Sequence, residues 1–145
     1  AHLAEPNFQS WIAELTRLLK TGGVLVFSSW GQGLLDMAQG VFESGKRDFP
    51  WQRNTLNGFD SYEDLATRFA SGGFVFAPTG GGKYLPGDDF GLAMVSRSYF
   101  EQHVRGLVLR DFLDDPKQFS QSLFFAQKIA TPPGAGATPA LPDRC

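Results

Sequence analysis

Residues 7–29 constrain the fold more than any other stretch. Phe8, Trp11, Ile12, Leu15, Leu18 and Leu19 repeat at the spacing of one helix face. Glu14, Arg17 and Lys20 occupy the other faces. Pro6 suits a first turn, where a missing N–H costs nothing, and Lys20 suits the negative end of the helix dipole. Gly22 and Gly23 then stop the helix, because glycine enters the left-handed cap conformation without strain. Val24-Leu25-Val26-Phe27 follows at once. A run that is apolar throughout, rather than alternating, predicts a central strand buried on both faces. Helix, glycine stop and strand in immediate succession predict a layered α/β domain.

The rest of the chain extends this pattern. Residues 33–42 predict a second helix, with Leu34, Leu35, Ala38, Val41 and Phe42 on one side. Residues 43–57 are polar and mixed and predict a loop or irregular cap. Ser61 predicts the cap of a helix over residues 62–70, with Asp64 completing a capping box. Residues 74–77 and 90–95 predict strands, separated by a glycine- and proline-rich loop over residues 78–88. Ser96 or Ser98 predicts the cap of a short helix reaching Val104. Residues 107–113 and 122–129 predict two strands joined by a short polar turn, an antiparallel hairpin at a sheet edge. Residues 131–145 are rich in proline, glycine and alanine and predict a disordered tail.

Composition narrows the class. The chain has 145 residues, is 42% hydrophobic and contains 14 phenylalanines, which suits one folded domain over residues 1–130. A net charge of −2 gives no pull toward nucleic acid or anionic membranes. No apolar run approaches the roughly 18 residues of a spanning helix, and no basic, then apolar, leader opens the sequence. Cys145 is the only cysteine, so an intramolecular disulfide or a thiolate metal cluster is excluded, which fits a reducing compartment. The expected location is the cytoplasm, with no nucleic-acid or membrane partner. Ala1-His2-Leu3 runs almost directly into the first helix without a start methionine, which reads as a processed, trimmed or partial chain.

Three segments carry a family resemblance. The first is Trp11-Ile12-Ala13-Glu14-Leu15-Thr16-Arg17-Leu18-Leu19-Lys20-Thr21-Gly22-Gly23-Val24-Leu25-Val26-Phe27. The second is His2-Leu3, and the third is the pair of closing segments, residues 106–112 and 123–128. In this order they resemble the C-terminal half of a class I S-adenosylmethionine-dependent methyltransferase. The resemblance implies that residues 24–27 are the fifth strand and that the closing segments are the long antiparallel sixth and seventh strands. The fold it implies is α/β: the C-terminal part of a Rossmann-like methyltransferase sheet, with an antiparallel edge hairpin. The family's glycine-rich turn after the first strand, and the acidic residue after the second, have no counterpart in residues 1–145. A sheet lacking those strands exposes an apolar edge. A complementing N-terminal polypeptide or self-association of the chain is expected to cover it.

Candidate site residues follow from placement. His2 is expected to border the cofactor and substrate cleft, by resemblance, unless it lies in a frayed terminus. Trp30, at the carboxyl end of the first strand, is a pocket wall or a core residue. Residues 30–90 are expected to shape the acceptor pocket and its lid, with Lys83, Tyr84 and Asp89 on the long loop as substrate-binding candidates. Gly31-Gln32-Gly33 suggests a dinucleotide turn, but Asp36 stands where a third glycine or alanine belongs. Gly80-Gly81-Gly82-Lys83 lacks phosphate-loop spacing, and Tyr84 replaces the required Ser or Thr. Asp88-Asp89 reads as a solvated turn before a metal pair. His103 reads as a surface residue of a short helix, and no serine-hydrolase elbow is present.

The resemblance implies methyl transfer from S-adenosylmethionine to a small-molecule or macromolecular acceptor, with the cofactor-binding half outside this chain. No metal and no general base are assigned. A non-catalytic interaction or dimerisation module is the alternative. A small nucleotide-binding protein built on Gly31 and Gly33 is a third.

Overall fold

The computed structural model describes residues 2–78 and 88–130. The order of elements is α1 Glu5–Leu18, β1 Val24–Ser29, α2 Gln32–Ser44, α3 Pro50–Gly58, α4 Tyr62–Ala70, β2 Phe74–Pro78, β3 Gly91–Val95, α5 Arg97–His103, β4 Leu107–Leu113 and β5 Ser122–Lys128. This is a mixed α/β architecture with antiparallel sheets. Two strands, β2 and β3, form one sheet, and a second has the order β1-β5-β4. Among the described residues, no helix is long and apolar enough to cross a membrane.

Helix α1 forms where its periodicity places it, with Pro6 in the first turn. Its apolar stripe is wider than the surface it covers. Ile12 and Thr16 are buried, and the Thr16 hydroxyl donates back to the Ile12 carbonyl at 2.6 Å. Trp11 and Leu18, expected in the core, are 58% and 62% exposed. Gly22 adopts φ +83°, the conformation for which glycine is suited, and β1 starts two residues later.

Strand β1 departs from the expectation of a central strand. Among the described strands it pairs only with β5, antiparallel, in unbroken register from Val24↔Gln127 to Ser29↔Ser122. Val24 and Val26 are 54% and 52% exposed. An uninterrupted apolar run therefore marks a strand at a sheet edge with one covered face. Strand β5, not β1, is the middle strand. The closing hairpin is antiparallel as expected, with a register shift between Leu109 and Asp111.

Two cores divide the packing. The first lies where α1 and α5 cover one face of the β1-β5-β4 sheet, through Ile12, Tyr99, Phe100, Phe124 and Ala126. Rings lock it: Phe27 stacks on Phe124 with centroids 4.7 Å apart, and Phe112 approaches Phe124 at 4.8 Å. On the opposite face, Val24, Gln127 and Val108 line up across the three strands, and Val108 is exposed like Val24. The second core joins α2 and α4 to the β2–β3 sheet through Leu34, Leu35, Leu65, Val75 and Met94. Strand β3 serves both, because Met94 faces one core and Val95 the other.

Helix α3 lies where a loop or a short irregular cap was expected. Its sequence is polar, but Pro50 starts a first turn, and the Gln52 side chain accepts from the Phe49 amide at 2.8 Å. Gln52 and Thr55 are themselves buried, so this helix shows no apolar stripe to read. Helix α4 keeps half of its expected capping box. Ser61 accepts from the Asp64 amide, whereas the Asp64 carboxylate turns to Arg68 at 2.8 Å. Of the two candidate caps for α5, Ser96 is the one that accepts from Tyr99. The expected tail, residues 131–145, lies outside the described residues, as does most of the expected lid.

Candidate functional site

The carboxyl end of β1 is where the two cores meet. Ser29 is 1% exposed, and its hydroxyl spans the gap between sheets. It donates to the Ala93 carbonyl at 3.1 Å and accepts from the Val95 amide at 3.0 Å. The Trp30 amide adds a bond to the Ala93 carbonyl at 3.2 Å. Trp30 packs beside the second core, and its indole Nε1 is buried without a hydrogen-bond partner.

Gly31 and Gly33 do not form a phosphate turn. A Cβ on Gly31 would stand 1.8 Å from Ser122 Oγ and 2.6 Å from Asp114 Oδ1, and one on Gly33 would stand 2.4 Å from the Ser120 carbonyl oxygen. The glycines are needed because the β4–β5 connection passes against the start of α2. The Asp114 carboxylate accepts from the Gln32 amide at 2.9 Å and from the Ser122 hydroxyl at 2.8 Å. A negative group thus already fills the helix N-terminus that an anion would need. The nucleotide-binding reading is set aside on this geometry.

His2 is tied to the start of β3. Its Nδ1 lies 2.9 Å from the Gly91 carbonyl, and a carbonyl only accepts, so this contact selects the Nδ1-protonated ring. The ring stacks on Phe90 at 4.9 Å. Asp89 is next to it: its backbone carbonyl accepts from the Ala4 amide at 3.1 Å. His2 and Asp89 are therefore neighbours. Trp30 is not with them, because it pairs with Met94, five residues along from Asp89, or roughly 16 Å at strand rise. Lys83 and Tyr84 lie outside the described residues.

A polar cluster that sequence reasoning missed joins α1 to α5. The Tyr99 hydroxyl donates to Glu5 at 2.5 Å and accepts from Gln9 at 2.7 Å. Burial, then the Glu5 carboxylate, pushes the Tyr99 phenol up to about 12. It stays protonated at neutral pH and acts as a donor, not a base. His103 stacks on it at 4.4 Å. No periodicity signals contacts between residues some ninety positions apart.

An apolar cleft of about 230 Å³ lies beside the carboxyl end of β1, at Phe27, Ser28 and Ser29. Trp11 and Leu15 of α1 form one wall, Phe27 another, and Ala93 and Val95 of β3 close one end. Among the described residues, no group of three or more His, Cys, Asp or Glu is placed to hold a metal.

No protein-family model matches the sequence, and neither curated proteins nor solved structures gave a significant match.

Proposed function

We propose that this chain is the C-terminal portion of an S-adenosylmethionine-dependent methyltransferase domain. The supporting observation is one connection: α1, the Gly22-Gly23 stop and β1, with β5 antiparallel beside β1 and β4 antiparallel beyond it. This arrangement is compatible with β1 as the family's fifth strand and β4–β5 as its antiparallel closing pair. S-adenosylmethionine supplies a sulfonium methyl, and the protein's part is to align the acceptor with it and exclude water.

The described residues do not fit that cofactor by themselves. Among the described residues, the glycine turn between β1 and α2 is packed shut by Asp114, Ser120 and Ser122. In this reading the cradle belongs to polypeptide outside residues 1–145, and His2 borders it. This reading assigns residues 30–90 to a small-molecule or macromolecular acceptor, and the protein works in the cytoplasm. Titration calorimetry with S-adenosylmethionine and its demethylated product tests this. The chain alone is expected to give no heat, and a complete polypeptide carrying it is expected to bind both. Absence of heat with the complete polypeptide sinks the reading.

A non-catalytic interaction or dimerisation module is the second reading. The exposed Trp11, Leu18, Val24 and Val26 favour it. Light scattering that finds a monomer at high concentration removes the dimer.

A further inference from the structure

We draw no further inference here: the strongest candidate, the face of the β1-β5-β4 sheet on which Val24, Val26 and Val108 are exposed, carries nothing, because nothing among the described residues shows what covers it.

Discussion

The Asp114 carboxylate caps α2 from across the chain, accepting the Gln32 amide at 2.9 Å over a separation of 82 residues. The same oxygen holds the hydroxyl of Ser122, which is 0% exposed. One side chain thus fixes the exit of β1, the start of α2 and the start of β5. Asp114→Ala removes a cap worth about 0.5–2 kcal/mol and strands a buried hydroxyl at about 1–3 kcal/mol. A loss of about 2–4 kcal/mol in urea unfolding is expected, with Asp114→Asn losing less because it keeps an acceptor. An Asp114→Ala protein as stable as the parent would show that the cap is not formed.

Gly31 and Gly40 separate packing from propensity. Alanine at Gly31 collides with Ser122 and Asp114, whereas nothing lies within 4 Å of a Cβ at Gly40, inside α2. Gly31→Ala is expected to destabilise by about 1–3 kcal/mol, the usual cost of overpacking. Gly40→Ala is expected to stabilise by about 0.5–1 kcal/mol, the helix preference for alanine over glycine. Thermal unfolding of the two variants should move in opposite directions. Equal shifts would mean that Gly31 has room to spare.

These two positions also show what the sequence reveals and what it hides. Local signals were legible: the 3.6-residue spacing of α1, the Gly22-Gly23 stop, the Ser61 and Ser96 caps and the antiparallel β4–β5 pair. Helix α3 was hidden because it buries Gln52 and Thr55 instead of an apolar stripe. The position of β1 was misread because an apolar run has the same composition in a central strand as at an edge flanked by an apolar cleft. Gly31-Gln32-Gly33 suggested a ligand turn, yet its glycines answer to Asp114, Ser120 and Ser122, and nothing in a single sequence announces such distant partners. Of the candidate site residues that are described, His2 and Asp89 came together, through backbone contacts that their side-chain chemistry did not foretell.

Phe124 sits at the centre of the sheet-side core, 0% exposed and in ring contact with Phe27, Phe100 and Phe112. Phe124→Ala is expected to cost about 3–5 kcal/mol through lost burial and a residual cavity. That is a large share of the roughly 5–15 kcal/mol that holds a typical domain together. Phe124→Leu keeps most of the volume and should lose markedly less. Chemical denaturation decides between them, and a near-neutral Phe124→Ala would mean that the four rings do not form one packed unit.

Tyr99 gives the fold an alkaline limit. Burial and the Glu5 carboxylate raise its phenol from 10.0 to about 12. The folded state therefore favours the protonated phenol more strongly than the unfolded chain does. For an acid whose folded value is raised, the stabilisation is complete below about pH 10 and drains away as pH climbs toward 12. Absorbance titration of phenolate should show a late component that Tyr99→Phe removes. Tyr99→Phe should also be less stable at neutral pH, since Glu5 and Gln9 lose their shared partner, and its stability should fall less between pH 10 and 12. If parent and variant lose stability in parallel over that interval, the Tyr99–Glu5 contact does not join α1 to α5 in solution.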